Sequence, residues 1–279
     1  GDSVRVLTSV GCDLFRDRVE NLAFPDDRLS EAKTVAKYSD VVILCVGLDE
    51  TLEGDEGDTG NSYASGDKRD LLLPESQRKL MEAIAETGKP VVLCLMAGSD
   101  IDLSYAAEHF DAVLQLWYPG SEGGKAAAQV LFGEVSPSGK LPVTFYESLE
   151  ELPEFTDYRM EGRTYRYMKG KAQYPFGYGL TYGNVSVTGA EIAARPDGSI
   201  VVSAEAENTG VETDEVLQVY VENTDCSRAG KHPELCGFLR IHLKEGQKAC
   251  FEIPVSKNVF TVVGEDGVRE EKGTHFVFY

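Results

Sequence analysis

Residues 40–74 read DVVILCVGLDETLEGDEGDTGNSYASGDKRDLLLP. The first eight, Asp40-Val41-Val42-Ile43-Leu44-Cys45-Val46-Gly47, form an apolar run whose length and Val/Ile content read as a buried strand of a parallel sheet. From Leu48 the chain turns polar. At Pro74-Glu75-Ser76-Gln77-Arg78 a helical pattern opens and continues through Leu80, Ile84 and Ala85. Strand, long polar loop and helix in that order put the loop at the carboxyl end of a parallel strand, where functional residues of open α/β sheets collect.

Within ten residues the loop carries six carboxylates: Asp49, Glu50, Glu53, Asp55, Glu56 and Asp58. Crowded like charges repel, so at least one of them has a raised pKa if they share a site. Three chemistries fit such a cluster. It can be a solvated acidic loop on an acidic protein. It can be a calcium loop, although the spacing departs from an EF-hand, with no Glu at the twelfth position and a strand in front. Or it can hold a proton donor for hydrolysis, which needs one carboxyl protonated near neutral pH. Residue types alone permit all three.

Outward from this stretch, strands and helices alternate. Val4–Val10 reads as a short strand, and Ser30 as the cap of a helix with Leu29 and Val35 on its apolar face. The helix from Glu75 to Thr87 is broken by Gly88-Lys89-Pro90. Val91–Met96 is a second buried strand, a helix follows around Ile101–Glu108, Asp111–Trp117 is a third strand, and Gly123–Phe132 is a further helix. Gly139–Phe145 closes the unit. Alternation at this spacing predicts an α/β region: an open, mostly parallel sheet with helices on both faces. The loops after residues 46, 96 and 117 then share one edge. Two of them, Gly98-Ser99-Asp100 and Tyr118-Pro119-Gly120-Ser121-Glu122-Gly123-Gly124, are Gly-rich starts of helices. Neither matches a phosphate-loop or dinucleotide pattern, and close packing accounts for the glycines.

Residues 148–183 lose the strand rhythm and become aromatic and polar, with Tyr158, Tyr165, Tyr167, Tyr174, Phe176, Tyr178 and Tyr182; large flat side chains of this kind pack domains together. From about Asn184, short alternating segments separated by turns such as Asn208-Thr209-Gly210 and Glu265-Asp266-Gly267 predict an all-β antiparallel sandwich. The expected organisation is therefore an α/β domain over 1–147, a connector over 148–183 and a β-sandwich over 184–279.

Composition narrows the function classes. The 279 residues carry a formal net charge of −20, which argues against nucleic acid or an anionic membrane as partner, since both demand a basic face. No apolar run approaches the roughly eighteen residues of a membrane span. The start, Gly1-Asp2-Ser3-Val4, shows neither Met nor signal peptide and reads as a cut within a domain. Six cysteines without a Cys-x-x-Cys pair, and four scattered histidines, predict reduced thiols in a cytoplasmic protein with no metal site and no cofactor. A Cys226–Cys236 bridge is left open.

Four strings carry a family resemblance. Glu53-Gly54-Asp55-Glu56-Gly57 followed by Gly66-Asp67-Lys68-Arg69-Asp70-Leu71-Leu72-Leu73-Pro74 resembles the acid/base segment of glycoside hydrolase family 3, with an insertion of about ten residues. Leu131–Pro142, containing Ser136-Pro137-Ser138-Gly139-Lys140-Leu141-Pro142, and Tyr174–Tyr182, containing Pro175-Phe176-Gly177-Tyr178-Gly179-Leu180, are similar to further segments of that family. Leu235–Gly246 resembles its fibronectin type III-like domain. The resemblance implies the acid/base and accessory half of a retaining β-glycosidase, of β-glucosidase type, acting on terminal β-D-glycosyl residues of a β-linked oligosaccharide or glycoside. It makes Glu56 the proton donor, with Asp55 as the alternative should the insertion lie elsewhere. The nucleophile then belongs to a (β/α)₈ barrel of the same polypeptide, and the present chain alone is expected to be inactive, because retention needs two carboxyls roughly 5 Å apart. Sugar-binding residues are not assigned. The competing reading is a non-catalytic α/β module that binds carbohydrate or calcium.

Overall fold

The computed structural model of the chain describes residues 4–15, 23–54 and 68–279. The chain divides into two compact units, Gly1–Ala127 with Phe145–Leu149, and Ala128–Thr144 with Glu150–Tyr279.

In the first unit, β1 (Val42–Gly47), β2 (Val91–Met96) and β3 (Ala112–Gln115) form a parallel sheet in sequence order, with Val42 beside Val91 and Val92 beside Ala112. Helices α1 (Asp27–Lys37), α2 (Glu75–Ala85) and α3 (Ser104–His109) alternate with the strands, α4 (Gly123–Leu131) follows β3, and the short β4 (Phe145–Tyr146) belongs to the same unit. β2, the middle strand, is the apolar heart of the sheet: Val91, Leu93, Cys94 and Leu95 are all buried. Leu80, Met81 and Ile84 make the buried stripe of α2, spaced by one helical turn. Each such side chain contributes about 1.5–3 kcal/mol relative to exposure. Among the described residues no helix is long and apolar enough to cross a membrane.

Several details depart from the sequence expectation. Val4–Val10 forms no strand, and Val6 and Val10 are exposed. An extended segment with no neighbouring strand to pair with leaves its backbone groups to water, whatever its alternation. α1 begins at Asp27 rather than after Ser30, because the Asp27 carboxylate accepts the Phe24 N–H at 2.9 Å and an acid in the first turn suits the helix dipole. β1 is less buried than its composition implies: Ile43 and Cys45 are exposed, as befits the outermost strand of the described sheet. The third strand stops at Gln115, since Trp117 takes φ 56°, which ends the extended run.

The second unit carries α5 (Thr164–Tyr167), β5 (Ala172–Tyr174) and a sandwich. Strands β6 (Val185–Ala194), β7 (Ile200–Asn208) and β10 (Lys248–Pro254) make one antiparallel sheet, ordered β10-β7-β6. Strands β8 (Thr213–Asn223), β9 (Glu234–Leu243) and β13 (Phe276–Phe278) make the other, ordered β13-β8-β9, and β11 (Thr261–Val263) pairs with β12 (Arg269–Glu271). Inward-facing Val202, Ala204 and Ala206 meet Leu217, Val219, Val221, Ile241 and Ile253 in one core. The connector is fastened to this core by Tyr165, which stacks on Phe176 at 4.1 Å and accepts the Leu235 N–H through its hydroxyl. Arg166 pairs with Glu234, which also takes the nearly buried Lys272 at 2.8 Å. Tyr158, by contrast, is exposed. All six cysteines are free, so Cys226 and Cys236 are not bridged; Cys94 and Cys236 are the buried ones.

Candidate functional site

The carboxyl edge of the parallel sheet is where side chains begin to hold backbone. At the end of β1, Gly47 approaches β2 so closely that a Cβ would stand 1.9 Å from the Met96 carbonyl oxygen, which only glycine avoids. Gln77 of α2 is buried there. It accepts the Gly47 N–H at 2.8 Å and donates to the Gly47 carbonyl at 2.7 Å, doing for the strand end what a neighbouring strand would do. Its amide also donates to the Leu14 carbonyl at 2.7 Å.

The chain then makes one tight turn. The Asp49 carboxylate accepts the Thr51 N–H and hydroxyl, the N–H groups of Leu52 and Glu53 donate to the Asp49 carbonyl, and Leu52 is buried. This turn aims Glu53 back over the sheet edge. One carboxylate oxygen accepts the Ser99 hydroxyl; the other accepts the Gly98 N–H at 2.8 Å and the Tyr118 hydroxyl. Burial alone pushes the Glu53 pKa up, but the bonds from Ser99, Tyr118 and Gly98, with the nearby Lys68 charge, bring it below its ordinary value. Glu53 is thus held ionised. The same contact raises the Tyr118 phenol, after burial. Gly98 is needed for this geometry, because a Cβ there would lie 2.8 Å from the Tyr118 ring.

Lys68 stands on the other side of positions 55–67 and donates to the Asp100 carbonyl at 2.6 Å. Three residues later the Leu71 carbonyl accepts the Asp102 N–H at 2.7 Å. Burial lowers the Lys68 pKa against the pull of Glu53, Asp100 and Asp70. The Asp100 carboxyl accepts the Tyr146 N–H at 2.7 Å through one oxygen, while the other is buried with no partner among the described residues. Its pKa rises from 3.8 to about 6, driven by burial and only partly offset by the Tyr146 bond and Lys68. The edge therefore holds one carboxyl whose pKa is lowered and one whose proton is held to higher pH than usual.

The third loop of the edge contributes Tyr118 after the left-handed Trp117, whose ring meets Phe145 edge-on at 6.4 Å. Of its glycines Gly123 serves packing, since a Cβ there would lie 2.4 Å from the Pro119 side chain; Gly120 instead takes the left-handed φ of 66°, and neither it nor Gly124 has an atom near where a Cβ would stand. Among the described residues no group of three or more His, Cys, Asp or Glu side chains is arranged to hold a metal ion.

The two donor candidates, Glu56 and Asp55, lie outside the described residues. What the structure brings together is Glu53, Lys68, Gly98, Ser99, Asp100 and Tyr118. Sequence reasoning put Glu53 among six equivalent carboxylates and did not single it out. The signal was present in the expectation that the loops after residues 46, 96 and 117 share an edge, since the hydroxyls of Ser99 and Tyr118 then face whichever acid stands nearest.

Comparison with known proteins places this edge. The model of the glycosyl hydrolase family 3 C-terminal domain matches residues 4–182, and that of a fibronectin type III-like domain matches residues 215–279. The chain is 37% identical over 254 residues to a xylan 1,4-beta-xylosidase of Xylanibacter ruminicola, with 88% of this chain and 29% of that protein covered. It is 32% identical over 284 residues to a periplasmic beta-glucosidase of Salmonella typhimurium, with 91% and 36% covered. In three dimensions it resembles a β-glucosidase of Erythrobacter marinus with TM-score 0.77 and 30% identity, over 91% of this chain and 34% of that one. The chain spans about a third of the length of the curated relatives it matches. With the family model covering the parallel sheet, its edge and the connector, the chain belongs to glycosyl hydrolase family 3, as its C-terminal domain followed by a fibronectin type III-like domain.

Proposed function

We propose that this chain is the proton-donating and accessory half of a retaining β-glycosidase, and that Glu56 is the donor, with Asp55 as the rival one residue earlier. The parent enzyme removes terminal β-D-glucosyl or β-D-xylosyl residues; the relatives named above carry both β-glucosidase and β-xylosidase names. The observation that carries the reading is the fastening of Glu53 and Lys68, on either side of positions 55–67, to one turn at the carboxyl edge of the sheet. Glu53 itself is a poor donor, because both of its oxygens accept hydrogen bonds and its pKa is lowered. Asp100 has a raised pKa, but its free oxygen is buried and its other one is taken by Tyr146, so it is not placed to reach a glycosidic oxygen.

In this mechanism a carboxylate of the barrel domain attacks the anomeric carbon while the donor protonates the departing oxygen. The donor, now a carboxylate, then deprotonates the water that releases the sugar. The isolated 279-residue chain, which on this reading holds only one of the two carboxyls, should not turn over p-nitrophenyl β-glucoside or β-xyloside. Steady turnover by the pure chain refutes the division of labour.

In the full-length enzyme, Glu56→Gln should slow hydrolysis of substrates with poor leaving groups by about 10²–10⁴-fold, with a smaller loss for nitrophenolate, which departs almost unaided. Azide should restore the second step as glycosyl azide, because an anion needs no general base. If Asp55→Asn shows this pattern and Glu56→Gln does not, the donor is Asp55. If neither does, the donor is elsewhere, and calcium or sugar binding by the isolated chain would then favour the non-catalytic module.

A further inference from the structure

We propose that Cys45 is a site of thiol–disulfide exchange with small-molecule disulfides, and that Cys94, its neighbour across β1 and β2, is the resolving thiol that closes the pair into a bridge. The site is independent of the donor reading, which gives neither thiol a part. The strand register supplies the geometry. β1 and β2 run parallel with Cys45 directly beside Cys94, between the pairs Leu44–Leu93 and Val46–Leu95. Neighbouring strands lie about 4.8 Å apart, and disulfides join Cα atoms roughly 4.4–6.8 Å apart. The two thiols also touch: the Cys94 S–H donates a hydrogen bond to the Cys45 sulfur.

Their surroundings differ as the two roles require. Cys45 is exposed, as is Ile43 two residues earlier on the same face, because β1 is the outermost strand of the described sheet. Cys94 lies on the middle strand and is 1% exposed. The bond from Cys94 lowers the Cys45 thiol below its ordinary value, against a smaller opposing pull from burial. On Cys94 the same bond, and then burial, raises the thiol. One sulfur is thus a reachable source of thiolate, and the other keeps its proton beside it. Cys236 shows the contrast: it is buried too, but its S–H donates to the Val219 carbonyl at 3.3 Å and meets no second thiol.

The exchange runs in two displacements. The Cys45 thiolate attacks one sulfur of a disulfide such as glutathione disulfide. A bond from Cys45 Sγ to that sulfur forms, the reagent's S–S bond breaks, and one glutathione leaves as its thiolate. Cys94 then gives up its proton and its sulfur attacks Cys45 Sγ. The Cys45–Cys94 bond forms, and the second glutathione leaves towards solvent on the exposed side of β1. The two cysteines together lose two electrons and two protons, and one glutathione disulfide is reduced to two thiols. The second step needs no further encounter, because the attacking sulfur is already in contact.

The test incubates the 279-residue chain with glutathione disulfide near neutral pH, followed by acid quench and peptide mass spectrometry. The wild-type chain should yield the Cys45 and Cys94 peptides joined by a bridge that dithiothreitol releases. Cys94→Ala should stop at glutathione on Cys45. It should also react roughly three- to fivefold more slowly, since fewer Cys45 thiols are ionised although each thiolate is more nucleophilic. Cys45→Ala should leave Cys94 unmodified. Lasting glutathione on Cys45 of the wild type, or no product at either residue, overturns the proposal. So does glutathione on Cys94 in Cys45→Ala, which would make the buried thiol the one attacked. Equal initial rates for the wild type and Cys94→Ala would overturn it as well, because the two thiols would then not be in contact. Should Cys94→Ala not fold, Cys94→Ser takes its place, and the wild-type map by itself decides whether the bridge forms.

Discussion

In the sandwich, Asn208 is fully buried and every one of its side-chain atoms is occupied: the amide nitrogen donates to the carbonyls of Val211, Leu243 and Lys244, and the oxygen accepts from Asn184 and Gly210. At the edge of the parallel sheet, Asp100 buries a carboxyl oxygen with no partner among the described residues and pays for it with a pKa near 6. Both regions bury polar atoms, but to different ends. Neutral groups that are completely satisfied specify a fold. Ionisable groups whose pKa values are pushed apart within one loop cluster, as those of Glu53 and Asp100 are, make that cluster a candidate site for chemistry. The Arg166–Glu234–Lys272 cluster lies between these poles: it is charged, but it joins the connector to the sandwich within the second unit.

Three measurements press on this contrast. The largest effect should come from Glu234→Ala, which leaves the nearly buried Lys272 without its carboxylate. Breaking a buried pair by removing one partner costs on the order of 3–5 kcal/mol, so chemical denaturation should show a markedly lower midpoint. The leaving-group dependence of the full-length enzyme should stay the same; a change there would give the sandwich a catalytic part and blur the contrast.

Next, Gln77→Ala should strip the Gly47 N–H and carbonyl of their partners, at about 1–3 kcal/mol for buried groups left unsatisfied. A loss this large without any shift in the pH profile separates scaffold from site even within the sheet edge. An undisturbed melting temperature would mean that water replaces the amide.

The smallest effect is the most discriminating, because its sign differs between two neighbouring carboxyls. Asp100 has a raised pKa, so its contribution to stability is full below 3.8 and is lost as pH climbs to about 6. Glu53 has a lowered pKa, so its contribution is present above 4.5 and is lost as pH falls through its folded value. Thermal melts from pH 3.5 to 7.5 should therefore show Glu53→Gln costing more as pH rises, and Asp100→Asn costing less. Parallel pH trends for the two variants would remove the distinction drawn here between them.

Much of this was legible in the sequence, and the limits have physical causes. Val91–Met96 is bounded as its apolar run implies, because a central strand is apolar on both faces and Gly88-Lys89-Pro90 marks its start. In the sandwich, β7 and β8 bury alternate residues as their pattern implies, whereas β6, the last strand of its sheet, is exposed along almost its whole length. Val4–Val10 carried a comparable pattern and forms no strand, since a strand is completed by a neighbour that the pattern does not name. At the sheet edge, the sequence indicated which loops share it but treated the acids of the first loop alike. Glu53 is set apart by Gly98, Ser99 and Tyr118, which are 45, 46 and 65 positions away. No local spacing encodes such partners; the shared edge of a parallel sheet does.

The attachment of Glu53 and Lys68 to one turn also bears on how the loop can vary in length. When both ends of a segment are fixed close together, lengthening it costs only the logarithm of its size, about 0.6 kcal/mol for a doubling. An insertion of about ten residues between the two anchors, of the size the family resemblance implies, is then thermodynamically inexpensive while Glu53 and Lys68 stay on Gly98 and Asp100. The length of the segment between Glu53 and Lys68 is thereby uncoupled from the sheet that carries its two ends.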